Sequence, residues 1–483
     1  MTELRQTIEA FLRACRQPAL SEPGEETLAL SADNFALETR AGSLTLQAWD
    51  DCRNLVRRVV GIERQTRGRL VLKIERFAKR PGTLALIDLA RPSGQDVELR
   101  TRRLEFRERF RLFLRRQFPG FEIAALTTEP DLEHSLSPAY PRALLRKGAS
   151  AWAAIGASQD IFHSEGVLTF GLIWLDYLRR REPDLVIQGL VLYLPAGHEK
   201  TTCLRLLFLD PAAAQYAAFV YGDAGDESRV DLADYGNLDT RLDPCAGRPP
   251  PLNPILDSIS ETPGVETIGR SDGERSLRVH GMEFARTSGG ELLFGLNRKH
   301  AAHARNAGEL QRLAAELSRL RSHRAADRLN PLYLRNPEAW LESQVRSAIE
   351  QVDARFLAAP VYGQVPAFAA ADRGLLDLLA VERGGRLAVL ELKASEDVHL
   401  PLQALDYWMR VKWHLDRGEF GAKGYFPGIE LHNQAPRLLL VSPALDFHPS
   451  NETVLRYFSP RVPVERVGVG LEWRKELKVM LRS

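Results

Sequence analysis

The sequence predicts an α/β protein whose C-terminal part is a mixed sheet flanked by helices, preceded by a mixed α+β region. Three observations carry this. At 483 residues the chain is too long for one ordinary core, so two or three domains are expected. Short runs in which apolar and polar residues alternate, separated by glycine and proline turns, mark strands. Between them, apolar residues recurring every three or four positions mark helices with one buried side.

Residues 1–16 have the pattern of an amphipathic helix. Residues 35–39, 43–48, 70–74 and 84–89 alternate as antiparallel strands do, with turn signals at Ala41-Gly42 and Pro81-Gly82. Residues 102–117 read as a helix, since Phe106, Phe110 and Phe113 keep helical spacing while Arg103, Arg107, Arg111 and Arg115 line the other side; Pro119-Gly120 stops it. These elements make residues 1–120 a β-rich, basic domain. Residues 121–243 read as an α/β domain, with a helix at 168–181 and strands at 185–194 and 203–210. Helix, strand, strand is also the order expected at the C-terminus, which admits a degenerate duplicate of that fold, although no matching acidic ligands stand there.

Residues 244–330 open with the clearest linker, 244–254, where consecutive prolines favour an extended form. A hairpin of 276–287 with 291–296 follows, turning at Ser288-Gly289-Gly290. An Arg-rich helix over 301–324 has Leu310, Leu313, Leu317 and Leu320 on its apolar side. The last boundary falls at Asn330-Pro331, leaving 331–483 as the terminal domain.

Composition narrows the class. With 44% hydrophobic and 27% charged residues the chain is expected to be soluble and globular. The first fifteen residues carry acidic groups and lack a basic stretch followed by an apolar run, unlike a signal peptide. The best apolar windows, 168–175 and 185–194, are too short to span a bilayer, so no membrane partner is expected. Cys15, Cys52, Cys203 and Cys245 show no paired spacing for zinc or a disulfide frame, which favours the cytoplasm. A net charge of +2 hides an uneven distribution: residues 51–120 hold 19 Lys and Arg against 8 Asp and Glu, whereas 331–483 balance at 19 against 19. A surface that neutralises nucleic-acid phosphates would therefore lie outside the terminal domain, with Arg103, Arg107, Arg111 and Arg115 as candidates. A solvated helix face is the other reading of that stripe.

The stretch from Gly374 to Lys393 carries the chemistry. Two apolar runs flank Arg383-Gly384-Gly385, the signature of a hairpin with a three-residue, glycine-bulged loop. With that loop Glu382 faces Arg386, and stepping outward sets Asp377 across from Glu391 with both side chains on one face. Lys393, two residues on, joins them; a two-residue loop would shift the register and separate the group. Carboxylates among Leu375, Leu379, Leu387 and Val389 are costly unless paired or metal-bound, and hard divalent cations such as magnesium take carboxylate oxygens. Glu342 lies on or beside the apolar stripe Leu341, Val345, Ala348, Ile349 and Val352 of an expected helix over 338–353, so it too needs a partner. Gln403 and Tyr407, four apart in an expected helix over 401–417, share one face. Ser395, Glu396 and Asp397 read as the loop after the strand. Asp372 is a weaker candidate ligand. His399, His414, Trp408 and Trp413 read better as core or surface than as ligands or base-stacking platforms.

In this order, Glu342, Asp377, Glu391-Leu392-Lys393 and Gln403-x-x-x-Tyr407 resemble the PD-(D/E)xK nuclease superfamily, in particular its RecB-like and λ-exonuclease-like branch. The resemblance spans residues 331–415. It implies a restriction-endonuclease-like core for the C-terminal domain and a nuclease activity dependent on magnesium or manganese. It further implies metal binding by Glu342, Asp377, Glu391 and the main-chain carbonyl of Leu392, assistance to hydrolysis by Lys393, and a site lined by Gln403 and Tyr407. No proline precedes Asp377, a departure that many members share. The leading expectation is hydrolysis of phosphodiester bonds in DNA, in repair, recombination or anti-phage defence. Two other readings stay open: a non-catalytic nucleic-acid-binding protein on the same scaffold, and a protein-interaction scaffold in a defence or repair complex.

Overall fold

The computed structural model describes residues 2–483 apart from 22–26, 32–33, 41–42, 50–53, 67, 76–80, 91–93, 130, 132–135, 160–165, 223–225, 246–253, 270–273, 297, 329 and 367–374. Most of the proline-rich linker, and Asp372, lie outside the described residues. The chain is mixed α/β with several sheets, and divides into one unit of residues 1–119 with 158–163 and another of 120–157 with 164–483.

The first unit contains α1 (Thr2–Ala14), β1 (Pro18–Ser21), β2 (Leu28–Ala29), β3 (Phe35–Arg40), β4 (Ser43–Trp49), β5 (Asn54–Gln65), β6 (Arg69–Glu75), β7 (Pro81–Asp88) and α2 (Gly94–Gln117). Its antiparallel sheet has the order β2-β1-β7-β6-β5-β4-β3. Alternation puts Leu44, Leu46, Leu70, Leu72, Leu84 and Leu86 in one core, which Ile8, Phe11 and Leu12 of α1 complete. Four of these strands were legible as alternating runs. β5 was not, because Arg57-Arg58 followed by Val59-Val60 breaks the period of two, and two register shifts against β6 absorb the irregularity. In α2, Phe110, Phe113 and Leu114 are buried.

The second unit begins with β8 (Glu122–Thr127), β9 (Arg142–Lys147), β10 (Ser150–Gly156), α3 (Val167–Arg181), β11 (Val186–Pro195), α4 (Lys200–Leu206), β12 (Gln215–Tyr221) and β13 (Glu227–Arg229). The segment 203–210, expected as a strand, is instead the end of α4 and the turn after it. A short apolar run reads alike in both states, and the place beside β11 is taken by β12 in parallel pairing. Next come α5 (Pro254–Ser260), β14 (Val265–Gly269), β15 (Arg275–Val279), β16 (Met282–Ser288), β17 (Glu291–Phe294), β18 (His300–Ala301) and α6 (Ala307–Leu320). The expected strand over 276–287 is two strands folded at His280-Gly281, both with positive φ (45° and 75°). The helix expected over 301–324 is shorter at both ends: Ala301 pairs with Leu293, and Arg321 leaves the helix to donate to the Leu332 carbonyl at 2.7 Å and the His280 carbonyl at 3.0 Å.

The C-terminal part comprises α7 (Pro331–Leu334), α8 (Pro337–Ser347), α9 (Ile349–Val352), β19 (Tyr362–Pro366), β20 (Leu375–Val381), β21 (Leu387–Leu392), α10 (Leu400–Asp416), α11 (Glu419–Ala422), β22 (Arg437–Pro443), α12 (Ser450–Leu455), β23 (Val464–Val469) and β24 (Val479–Arg482). Asn330 caps α7, its side chain accepting from the Leu332 N–H at 2.9 Å. The helix expected over 338–353 is broken at Ala348 (φ −133°, ψ 39°), which splits it into α8 and α9. The apolar stripe survives the break, since Leu341, Val345, Ile349 and Val352 are all buried on the sheet. Among the described residues no helix is long and apolar enough to cross a membrane.

The sheets β8–β13 and β19–β24 pass through the same succession. Each has two antiparallel pairings, then two parallel pairings bridged by helices, then an antiparallel edge strand. At the far end of the C-terminal sheet Arg437, 2% exposed, binds Asp353 at 2.9 Å, Glu382 at 2.7 Å and Glu465 at 2.7 Å. Burial opposes ionisation of Asp353 and Glu465, but their arginine partners win and hold both below the usual carboxylate range. Taking the arginine away removes the close partner of Glu382, while Arg355 and Arg482 still reach Asp353 and Arg482 still reaches Glu465. Arg437→Met is expected to destabilise this unit by about 1–3 kcal/mol, read as an earlier urea transition in the fluorescence of its buried tryptophans. An unchanged transition would contradict this account of the cluster.

Candidate active site

The site rests on one tight loop. Between β20 and β21 the Glu382 N–H donates to the Arg386 carbonyl and the Gly385 N–H to the Glu382 carbonyl, each at 2.8 Å. Gly385 has φ +82°, and a Cβ there would lie 2.1 Å from the Glu430 carbonyl, so the turn requires glycine twice over. From the loop the ladder pairs Val381 with Leu387, Ala380 with Ala388, Leu379 with Val389 and Leu378 with Leu390. One step further sets Asp377 opposite Glu391, and the Leu392 N–H donates to Asp377 Oδ2 at 2.8 Å.

Alternation then separates two faces. Leu378, Ala380, Ala388, Leu390 and Leu392 pack with Trp340, Leu341 and Val345 of α8. Asp377 and Glu391 belong to the other face, over which α10 packs on β21 and β22. Glu391 is 4% exposed, and its Oε2 is buried without a hydrogen-bond partner. Burial and then the Asp377 carboxylate push Glu391 well above the usual carboxylate range. Burial likewise pushes Asp377 up to about 7, against the Leu392 N–H and the Lys393 charge. This is a donor pair short of positive charge.

Lys393 follows the end of β21. Its Nζ lies 3.5 Å from Asp397 and 3.8 Å from Glu338. Burial disfavours its charge, but the carboxylates of Glu338, Glu391, Asp397 and Asp377 outweigh that and raise its pKa, so it is an ammonium. Tyr407 of α10 feels the same field: burial, then Glu391 and Asp377, push its hydroxyl up. Gln403 is half-buried one turn earlier on that helix.

Glu342 is the expected residue that the structure engages elsewhere. It is buried on α8, but its Oε1 accepts from Arg346 at 2.6 Å, and Arg278 of β15 lies 3.9 Å from its Oε2. Arg346 is in turn held by Glu266 of β14 at 2.6 Å. The carboxylate fits beside β19 because Gly363 has no side chain: a Cβ there would lie 2.8 Å from Glu342 Oε1. Glu338 and Asp397 are the partners of Lys393 that sequence reasoning missed. Glu338 had a readable signal, standing one helical turn before Glu342 on the same face. Asp397 lies in the loop after β21, where its carboxylate also accepts from the His399 N–H at 2.8 Å.

The remaining candidates have structural partners. His399 contacts Thr169 at 3.1 Å and the Phe170 ring, and His414 lies between Thr240 (3.0 Å) and Glu419 (2.6 Å). Trp408 is buried and donates to the Pro436 carbonyl at 2.7 Å. Arg103, Arg107, Arg111 and Arg115 lie on α2 in the other unit. Arg103 and Arg115 are exposed; Arg107 and Arg111 are half-buried, 3.6 Å and 2.7 Å from Glu108. Among the described residues no three His, Cys, Asp or Glu side chains gather closely enough to hold a metal ion. No protein-family model, curated protein or solved structure matches the chain.

The raised carboxylates set a pH signature. Asp377 titrates near 3.9 in an unfolded chain and near 7 in the fold, so the folded state holds its proton more tightly. In a chelating buffer its contribution to stability is fully present below about pH 4 and is lost as pH rises through about 7. Glu391 acts with the same sign. Asp377→Asn is therefore expected to gain stability over the wild type progressively from about pH 4 to about pH 8 in urea titrations. A difference that shrank with rising pH would refute this picture of the pair.

Proposed function

We propose that the chain is a metal-dependent deoxyribonuclease of the PD-(D/E)xK kind, with a restriction-endonuclease-like core at residues 331–483. It would work on DNA in the cytoplasm, in repair, recombination or anti-phage defence. The observation that carries the reading is the buried, unpartnered Glu391 Oε2 opposite Asp377, with an ammonium beside the pair. Two hard oxygen donors in an apolar strand pair, both pushed toward the neutral acid, fit a hard divalent cation. Asp377 and Glu391 would hold Mg2+ or Mn2+, with the Leu392 carbonyl as a further donor; Glu342 could join only by giving up Arg346. When bound, the cation supplies Lewis-acid stabilisation of phosphoryl oxygens and a more acidic water.

The chain's own residues supply the rest. The Lys393 ammonium, fixed by Asp397 and Glu338, stabilises negative charge growing on the phosphoryl oxygens. Tyr407 and Gln403 offer a hydroxyl and an amide from the helix that covers the carboxylates, and exclude bulk water from that side. In the hydrolysis itself a water oxygen forms the new bond to phosphorus, and the bond from phosphorus to the sugar oxygen breaks. The electron pair stays on that oxygen, which takes up a proton, while the attacking water gives one to solvent.

A second reading has its own support. The ion pairs that hold Glu342, and the absence of a third acidic ligand beside the pair among the described residues, favour a nucleic-acid-binding protein that keeps the scaffold without cutting. Labelled single- and double-stranded DNA separates the two. The wild type is expected to cleave with Mg2+, and Asp377→Ala and Lys393→Ala to lose about 10²–10⁴-fold in rate while still binding. Binding without cleavage in every divalent metal supports the second reading. No binding at low salt contradicts both and leaves an interaction scaffold.

The basic α2 helix generates a separate expectation. If Arg103 and Arg115 touch phosphates, replacing both with alanine reduces the slope of log affinity against log salt by about 1–2. An unchanged slope returns that stripe to solvent.

A further inference from the structure

The two six-stranded sheets correspond residue by residue at the site. In the C-terminal sheet Glu391 pairs with Leu440 and Leu392 with Val441, and the Lys393 N–H donates to the Val441 carbonyl at 3.0 Å. In the other, Ile155 pairs with Leu192 and Gly156 with Tyr193, and the Ala157 N–H donates to the Tyr193 carbonyl at 2.9 Å. Across the antiparallel neighbour Ile155 faces Arg142, as Glu391 faces Asp377. Arg142, Ile155 and Ala157 therefore occupy the positions of Asp377, Glu391 and Lys393. The helices agree: Trp174 and Tyr407 are each the eighth residue of the helix after the site strand. Trp174 donates to the Ala143 carbonyl at 3.0 Å, and the Arg142 guanidinium lies 5.6 Å from its ring.

The substituted residues are an arginine and two apolar side chains, with Ile155 and Ala157 fully buried and the Arg142 Nε buried without a hydrogen-bond partner. Arg142 is buried and donates to the main-chain carbonyls of Ser137, at 3.1 Å, and Glu129. No acidic residue remains at the three positions, so the carboxylate donors of the C-terminal site have no counterpart there.

The two lobes also meet reciprocally. Helix α3 packs on α12, and α4 packs on α10. Leu209 and Phe458, each three residues beyond the end of its short helix, form an antiparallel bridge. Both of its hydrogen bonds are 2.8 Å: Asp210 N–H to Tyr457 O, and Ser459 N–H to Phe208 O. A bridge between equivalent positions, made from both sides, is what a local two-fold axis produces. The flanking contacts have diverged. Arg205 of α4 forms a buried bidentate pair with Asp406 of α10 (2.8 and 2.7 Å), whereas Arg179 of α3 meets the Tyr457 hydroxyl at 3.5 Å.

We infer that residues 122–229 are a second copy of the C-terminal fold whose centre has been erased, so that the chain is a two-lobed frame with one cutting centre and breaks one strand of a DNA duplex per encounter. The duplication stands on the pairings above; the strand-breaking consequence rests on the nuclease reading. The helices around the local axis are covered by the chain's own second lobe, so a second cutting centre is not recruited through that face.

Two measurements on the full chain test this. Supercoiled closed-circular plasmid incubated with Mn2+ is expected to give nicked circles first, with linear DNA only after nicks accumulate. Linear product from the first events, or no nicking, overturns the one-strand claim. Mn2+ titration followed by electron paramagnetic resonance, without nucleic acid, tests the single centre beneath it. Tight binding that Asp377→Asn abolishes is the expected result, and binding that survives that substitution overturns it. Tight binding lost in Asp377→Asn, beside uncut plasmid, removes strand scission and keeps the single centre. No tight binding in the wild type removes the nuclease reading and the single centre together.

Discussion

Two carboxylates are forced to share one face of an apolar strand pair, and most of what is distinctive in this chain follows from that constraint. The force is geometric. Gly385 closes a bulged loop that no other residue would fit, the loop sets the ladder, and the ladder sets Asp377 opposite Glu391. Glu391 is buried and Asp377 half-buried, so the pair resolves its repulsion by holding protons or by binding a cation. The nearby ammonium of Lys393 is shared with Asp397 and Glu338 and leaves both carboxylates raised.

The surroundings show the same logic with the opposite outcome. Glu342 is as deeply placed as Glu391, but Arg346 and Arg278 pair with it and Glu266 holds Arg346 in position, although burial still outweighs them and raises its pKa. Arg437 balances Asp353, Glu382 and Glu465 at the far end of the sheet. Among the described residues these acids are paired with arginines, whereas the Glu391 Oε2 has no hydrogen-bond partner. A buried polar oxygen with no partner is costly whether the acid is charged or protonated, and a ligand would remove that cost.

The central hairpin was legible from sequence because its information is local: a loop length, an alternation of two and a short spacing between acid and lysine. The helix carrying Gln403 and Tyr407 was legible for the same reason. The partners of Glu342 were not, since Arg278 and Glu266 lie on another sheet, more than sixty residues upstream. The segment 203–210 was misread as a strand because eight mostly apolar residues carry no decisive period; only the parallel ladder of β12 against β11 shows which segment belongs in the sheet. The repeat of the fold was legible only as a suggestive order of elements. Its identifying residues have become Arg142, Ile155 and Ala157, so the likeness survives in hydrogen-bond register and not in side chains.

The account depends on a cation settling between Asp377 and Glu391. Crystals of the chain soaked in manganese, measured at the manganese absorption edge, test that most directly. The account predicts an anomalous peak within coordinating distance of both carboxylates, with Lys393 nearby. A well-ordered site with no peak there, or a peak elsewhere in the chain, would contradict it.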